Sequence, residues 1–388
     1  MGAGLRWLAA EPFRLFFFSG AVWSIIGVAL WPLFYAGQLS YYPNLTHARL
    51  MIQAFGGAFV VGFLGTAGPR MATAPKLTPV EFLALFALHT ACGVLHLMLQ
   101  FRAADACFLA ILGMLLLCLV VRVARFRKDA PPPQMLLALT GLLCGIVGTL
   151  MGLNPEWIAS PEHHRLAGLL AYQGLLLPPV LGIGSFIFPR ILGGDFGAPE
   201  EPRARRASLL RAVLAAALII GSFFVETSGN PVAAYLLRAG TAAAYLLIEI
   251  RWRRSPGDPP RGTLPRGLFW ALVTGLTGLA VTGFTYDRRI GMEHLLFLGM
   301  FGLLILIVGS RVLFGHSGEL DGFARRSWMP RLLIALAFIA ATTRASAEFW
   351  PKITISHHQY AAWCWGLACL LWLIWHRRRF WKREDEGG

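Results

Sequence analysis

Long apolar runs alternate with short polar segments along the whole chain. The stretch from Met292 to Leu320 shows the pattern most clearly: it opens with His294, stays apolar to Gly309 and closes with Arg311 and His316. No polar face recurs in it at the 3.6-residue spacing of an amphipathic helix. About 20 consecutive apolar residues cover the hydrocarbon core of a bilayer, so this stretch predicts a transmembrane helix.

Twelve apolar runs of this kind predict twelve membrane spans, numbered span 1 to span 12 in chain order. Prolines and glycines mark the gaps between them. The predicted spans cover residues 13–36, 47–68, 80–101, 105–124, 135–153, 163–190, 207–226, 230–250, 267–286, 293–315, 330–349 and 357–376. The sequence therefore predicts an all-α polytopic membrane protein, a bundle of about twelve transmembrane helices in one domain over residues 1–388.

The charged residues predict the orientation of the spans. Arginines and lysines collect in the loops after even-numbered spans and in the tail after span 12, whereas residues 37–46 after span 1 carry no charge. Loops rich in lysine and arginine stay on the cytoplasmic side. We therefore expect both termini to be cytoplasmic and the even-numbered spans to begin at the outer surface.

The composition agrees with a membrane protein and excludes other classes. The chain is 56% hydrophobic and only 14% charged, whereas soluble domains carry about 25% charged residues. The net charge of +15 does not indicate nucleic acid binding, because the basic residues lie in the loops that set topology. The predicted partner of the chain is the lipid bilayer. The six cysteines have no zinc-type spacing.

Histidines concentrate on the predicted outer side of the membrane. Only His316 and His376 fall on the cytoplasmic side. The other eight are His47 at the start of span 2, His89 and His96 in span 3, His163 and His164 at the start of span 6, His294 at the start of span 10, and His357 and His358 at the start of span 12. Imidazole is a favoured ligand of haem iron and copper. Any single one of these histidines could also be an ordinary interfacial residue. However, the four even-numbered spans 2, 6, 10 and 12 all bring histidine to one level, which favours a metal site.

The candidate site residues follow from this placement. His47, His96 and His294 are the strongest ligand candidates, and His163, His164, His357 and His358 are further metal-ligand candidates. Arg49, two residues after His47, is a candidate partner for a haem propionate or another anion. An ion pair that fastens helices together is the alternative for such an arginine, for example Arg344 with Glu348, four residues apart.

Four stretches of the chain carry a family resemblance: PFRLFFF in span 1, HARLMIQAF in span 2, LGIGSFIFPRI at residues 181–191 (the loosest match), and HLLFLGMFG with SRVLFGHSG in span 10. They resemble the NnrS family of haem- and copper-containing membrane proteins linked to nitric oxide metabolism. The opening of span 1, PFRLFFF, resembles the family's PFRPFF-type start. Span 2, HARLMIQAF, is similar to its HAHEM segment, with His47 and Met51 at matching positions. The most specific likeness is HLLFLGMFG followed by SRVLFGHSG, in which His294, Arg311 and His316 match the family's motif.

The resemblance implies a bacterial inner-membrane protein with haem b and copper, acting on nitric oxide or in the nitrosative stress response. It implies an electron donor that the sequence does not identify. His47 and His294 would be metal ligands, with His96 and His164 as further ligands. Arg49 stands where the family has its second histidine. If that histidine is a metal ligand, this chain lacks it, and the resemblance favours haem without full copper loading.

Two other functions remain open from the sequence. A transporter or channel for a small anion, a metal ion or protons would use the same histidines and arginines to line a pathway, and GLLLPPVLGIG in span 6 suits a broken helix. A structural partner of a respiratory complex is the third possibility. No nucleophile–base pair or phosphate-binding loop is present in the sequence, so it does not decide whether the protein is an enzyme.

Overall fold

The computed structural model describes residues 2–192, 201–250, 262–325 and 327–383, and this part of the chain is helical with no strand. Ten helices are long and apolar enough to cross a membrane. They are Phe13–Tyr35, Asn44–Met71, Pro79–Leu97, Phe101–Arg125, Met135–Leu153, Pro161–Leu192, Pro202–Thr227, Pro231–Ile250, Thr263–Phe284 and Tyr286–His316. They correspond to predicted spans 1 to 10. The prediction of an all-α polytopic membrane protein is confirmed.

Two further long helices lie where spans 11 and 12 are predicted. They are Trp328–Ser346 and Thr354–His376. Neither is among the ten apolar candidates. The first contains two arginines, and the second opens on a polar Ser-His-His-Gln run and is rich in tryptophan. The helices therefore occur at all twelve predicted places, while the count of twelve membrane spans stays a prediction.

The boundary between spans 3 and 4 differs from the prediction. Span 3 ends at Leu97 and span 4 begins at Phe101, so a turn of three residues replaces the predicted helix end at residue 101. Leu99 in this turn has a φ of 60°. A leucine rarely adopts this left-handed conformation, and it stops the α-helix there. The sequence also gave no sign of the short helix Ala3–Ala10.

The described helices group into two compact units, each considered by itself. Unit 1 comprises Met1–Gly27, Asn44–Ile183 and Ala198–Phe223, and unit 2 comprises Val28–Pro43, Gly184–Gly197 and Phe224–Gly388. Spans 2 to 5 thus lie in unit 1, and spans 8 to 12 lie in unit 2. The single domain predicted from the sequence stays a prediction.

The core of unit 1 is built by close approach of spans 1 and 2. A Cβ atom on Gly62 would lie 3.0 Å from both the Phe13 backbone and the Phe16 side chain, so only glycine allows this spacing without displacement. Phe17 of span 1 stacks on Phe59 of span 2 with ring centroids 4.3 Å apart. This packing brings the neighbouring carbonyl groups of span 1 within reach of span 2.

The core of unit 2 is built around buried tryptophans of span 12. Trp372 donates from Nε1 to the Leu306 carbonyl (3.0 Å) and to Ser310 Oγ (2.9 Å). Ser310 Oγ also lies 2.9 Å from His376 Nε2. His376 is fully buried, so it belongs to the core of unit 2 and packs against span 10. Near the carboxyl end of span 11, Arg344 and Glu348 form the ion pair that the sequence suggested, at 2.8 Å.

Candidate functional site

Spans 2, 6 and 10 differ from the other candidate spans in length, burial and helix type. They are 28, 32 and 31 residues long. Of the residues in an apolar 18-residue stretch of each helix, 89%, 72% and 67% are buried, against 33–61% in the other seven candidate helices. Each contains a π-helical segment: Leu50–Gly56, Leu170–Gly174 and Phe297–Gly302. All three end on a glycine. Single π-helical turns inside α-helices occur frequently at functional sites.

His47 lies three residues before the π segment of span 2. Its Nδ1 atom is 2.9 Å from the carbonyl oxygen of Gly27 in span 1. A carbonyl oxygen only accepts, so Nδ1 carries the proton and the neutral ring has its lone pair on Nε2. Met51 in the π segment accepts a hydrogen bond from Ser24 of span 1 through sulfur at 3.8 Å. His47 is thus oriented by a backbone group of another helix.

His294 has the same relation to the π segment of span 10. It lies three residues before Phe297, and its Nδ1 atom is 2.6 Å from the carbonyl oxygen of Ile290 one turn earlier. The same argument assigns the proton to Nδ1 and the lone pair to Nε2. Two of the three strongest ligand candidates, His47 in unit 1 and His294 in unit 2, therefore share one tautomer and one offset from a π segment.

A buried polar network joins spans 2, 3 and 4 in unit 1. Gln53 in the π segment donates to Asp105 (2.6 Å) and accepts at Oε1 from His96 Nε2 (2.8 Å). Arg49 forms an ion pair with Asp105 at 3.1 Å. His96 is fully buried, and in the described part of the chain its Nδ1 atom has no hydrogen-bond partner. The site residue His96 thus keeps one unsatisfied nitrogen inside the unit.

Arg49 has a protein partner in the structure, Asp105. An ion pair between helices was the alternative to an anion or propionate partner, and the structure shows that ion pair. The guanidinium group also lies over the ring of Tyr172 at 5.9 Å. Gln53 and Asp105 were missed from the sequence as site residues. The signal for Asp105 was present, since an acid inside a predicted span is a functional candidate by default.

A second network lies in unit 2 beside His294. Arg238 and Glu226 form a salt bridge at 2.8 Å with both side chains fully buried. Tyr286 donates to Glu226 (3.2 Å), and Tyr235 donates to Glu293, the residue before His294, at 2.5 Å. The rings of the two tyrosines are in contact, with centroids 6.2 Å apart. Sequence reasoning missed Arg238, although it is an arginine within a predicted span.

The paired histidines have different environments. His163 and His164 are exposed in the first turn of span 6. Ser160 caps this helix, because its Oγ accepts from the His163 backbone N–H at 3.2 Å. In unit 2, His358 is buried while His357 is only partly buried. His358 Nδ1 lies 2.8 Å from the hydroxyl of Tyr35. Of these four candidates, His358 is the one held inside the structure.

His89 and His96 lie on one face of span 3, as their spacing predicted. His89 is 2% exposed and His96 is not exposed at all. His89 Nε2 lies 3.0 Å from Ser19 Oγ of span 1. Across residues 2–192, 201–250, 262–325 and 327–383, no three His, Cys, Asp or Glu residues are grouped so as to hold a metal ion. The predicted metal ligands therefore do not form a three-ligand cluster in the described residues.

The fold and these sites define the class of the protein: a multi-pass all-α membrane protein with two buried polar networks beside histidine-bearing spans. The model of the NnrS protein family matches residues 7–383, nearly the whole chain. The chain therefore belongs to this family, and it is a membrane protein linked to the nitric oxide response. A comparison with curated protein sequences found no match.

Proposed function

We propose that this NnrS-family protein binds a b-type haem in the outer half of the bundle and acts in nitric oxide metabolism or the nitrosative stress response of the bacterial inner membrane. His47 in unit 1 and His294 in unit 2 are the ligand candidates, each within its own unit. The observation that carries the proposal is their shared state: each donates Nδ1–H to a backbone carbonyl and stands three residues before a π segment.

The residues at these positions fit a haem ligand. Ligating histidines almost always donate their second nitrogen to a carbonyl or carboxylate, which fixes the ring and raises its basicity. His47 and His294 both do so through Nδ1. The position of Arg49 next to this region also fits a propionate partner, since a guanidinium can serve a second carboxylate besides Asp105. A bound haem would supply an iron able to bind nitric oxide and to exchange single electrons.

The residues in this region do not fit a copper site. Arg49 occupies the position where the resemblance places a second histidine, and its guanidinium is held by Asp105 at 3.1 Å. A permanently charged guanidinium has no lone pair to offer a metal. The described residues also contain no group of three potential ligands. We therefore include haem and leave copper out of the proposal.

The test is an optical spectrum of the detergent-purified protein, oxidised and dithionite-reduced, with iron and copper analysis of the same sample. A Soret band with sharp reduced α and β bands is expected. His47→Ala and His294→Ala should each change the band or remove it, together with the iron. His316→Ala is the matched control, because it replaces a histidine at the opposite end of the span that carries His294.

A colourless, iron-free protein from haem-replete cells would overturn the proposal and favour transport of a small ion through the histidine-lined units. A haem spectrum that survives both His47→Ala and His294→Ala would keep the cofactor but reject these ligands. In that event His96 and His358, the buried candidates on the predicted outer side, become the next variants to examine.

A further inference from the structure

Unit 1 contains a crevice of about 740 Å³ at the end of its helices that is predicted to be cytoplasmic. The ends of spans 2 and 4 and the beginnings of spans 5 and 7 form its walls. Its inner surface is apolar, with Leu64, Leu119, Leu139 and Leu142 among the lining residues. An apolar lining of this kind suits a hydrophobic occupant better than water.

The other part of the lining is basic. Arg127, Arg205 and Arg206 line the crevice, and no acidic residue does. Arg205 is held in place, because its Nη2 atom donates to the Pro131 carbonyl at 2.7 Å. Arg127 and Arg206 are exposed. In the described part of the chain neither of them has an acidic partner within salt-bridge distance, so their charges are available to a ligand.

We infer that this crevice binds an anionic glycerophospholipid from the cytoplasmic leaflet. The phosphate would pair with Arg127, Arg205 and Arg206 at the mouth, and the acyl chains would lie along the apolar wall that includes Leu139. Basic pockets between transmembrane helices on the cytoplasmic side bind anionic head groups, and each arginine near the surface contributes about 1 kcal/mol. The inference does not depend on haem binding, because it concerns the opposite end of the spans.

The chemistry of the crevice favours this occupant over three others. A free phosphate ion would use the arginines but would leave the apolar walls uncovered. An uncharged hydrophobic molecule would cover the walls but would leave three cations without a counter-charge. A phospholipid with net negative charge satisfies both parts. A zwitterionic lipid has the same acyl chains, but its own cationic group competes with the arginines for the phosphate.

The test measures lipid binding to the delipidated full-length protein by native mass spectrometry. Dioleoylphosphatidylglycerol is compared with dioleoylphosphatidylcholine, which has the same chains. The variant Arg127→Gln/Arg206→Gln is expected to weaken phosphatidylglycerol binding about 30-fold, since it removes two contacts of about 1 kcal/mol each. The matched control is Arg125→Gln/Arg203→Gln, which removes the same charge from exposed positions on the same two segments outside the crevice.

Five outcomes separate the possibilities. Loss in the crevice variant with little change in the control supports the site, and so does weaker binding of both lipids after Leu139→Trp, which fills the apolar wall. Equal loss in crevice variant and control would show general charge attraction and overturn the inference. Equal binding of the two lipids would also overturn it, as would full competition by inorganic phosphate, which would indicate an ion site.

Discussion

Spans 2 and 10, in two different units, each carry a histidine three residues before a π segment. The two histidines are oriented by different hydrogen-bond partners. His47 donates to the Gly27 carbonyl of span 1, whereas His294 donates to the Ile290 carbonyl of its own helix. The orientation of His47 therefore depends on how closely two helices pack. That of His294 depends only on local helix geometry, so the two histidines should respond differently to the same kind of change.

The polar networks beside the two histidines differ in a second way. In unit 1 the ion pair of Arg49 and Asp105 continues through Gln53 to another histidine, and the arginine is 15% exposed. In unit 2 the pair of Arg238 and Glu226 is fully buried, and Tyr286 donates a further hydrogen bond to Glu226. A buried pair costs most when one partner is lost. Unit 2 should therefore be the more sensitive to charge removal.

Removal of one charge should produce the largest effect. Arg238→Met leaves the Glu226 carboxylate buried without its cation, and a loss of about 3–5 kcal/mol in the free energy of unfolding is expected. Arg49→Met should cost less, because Asp105 keeps its hydrogen bond from Gln53. Detergent-based unfolding measures both.

The double variant Arg238→Met/Glu226→Leu is the control for that experiment. It removes both charges and should recover much of the lost stability, since a buried ion pair replaced by apolar residues is often neutral or stabilising. Equal losses for Arg238→Met and Arg49→Met would contradict the difference between the two units.

Removal of a network hydrogen bond should have an intermediate effect. Gln53→Leu deprives both Asp105 and His96 of a partner and is expected to cost about 2–3 kcal/mol. Tyr235→Phe removes one hydrogen bond to Glu293 and should cost about 1–2 kcal/mol. The same unfolding assay compares them. A larger loss for Tyr235→Phe would mean that Glu293, rather than Gln53, is the more important junction.

A change in helix spacing should affect His47 but not His294. A Cβ at Gly27 lies 3.3 Å from Leu50 Cβ and from Met51 Sδ, so Gly27→Val should push span 1 away, cost about 1–2 kcal/mol and loosen the bond to His47. Modification of individual histidines by diethyl pyrocarbonate, mapped by peptide mass spectrometry, should then show faster reaction at His47.

The matched control for the spacing experiment is Ile290→Val. Ile290 is 62% exposed and contributes only its backbone carbonyl, so neither stability nor the reactivity of His294 should change appreciably. Unchanged reactivity of His47 in Gly27→Val would show that its orientation does not come from span 1.

The smallest effect is expected at the opposite ends of these spans. After span 10, Glu319 pairs with Lys382 (2.9 Å) and Arg379 (2.8 Å). The hydrogen bond from Lys382 and the charge of Arg379 lower the pKa of Glu319 below its ordinary value. A lowered pKa in the folded state stabilises the protein at neutral pH, and this contribution is lost as the pH falls through that pKa.

Glu319→Gln should therefore cost less than about 1 kcal/mol at neutral pH, because these ion pairs are partly exposed. The difference between variant and wild type should shrink as the pH falls below the ordinary pKa of a glutamate and vanish below the lowered pKa of Glu319. Unfolding midpoints measured across this pH range test the prediction, and a difference that grows toward acid would have the wrong sign. At the corresponding end of span 2, Arg70 pairs with Glu11 at 3.2 Å.

The sequence predicted the helices well because a membrane requires long apolar runs, and such runs are visible without any partner. It also predicts on which side of the membrane the histidines lie, because the loop charges set the predicted direction of each span. It left Arg49 open between a propionate and an ion pair, because the choice depends on Asp105 of another helix. Polar residues within a span, such as Gln53, have no partner that spacing alone can identify.

The π segments were the other part that sequence reasoning missed. Their residues are as apolar as those around them, and hydropathy does not distinguish helix types. What the sequence does show is a glycine at each end point, Gly56, Gly174 and Gly302. Glycine is too common in this chain, with 42 residues, for these three to be recognised without the backbone geometry.

A π turn holds an extra residue, and this has a consequence for reading spans 2, 6 and 10. Since one residue corresponds to about 100° of an α-helix, everything after Gly56, Gly174 or Gly302 is rotated by about that angle relative to an unbroken helix. A helical wheel drawn through the whole span assigns wrong faces to half of it. Each of these spans is better treated as two helices in different registers, and a one-residue deletion at the junction should close the π turn into regular α-helix while the second half keeps its present face.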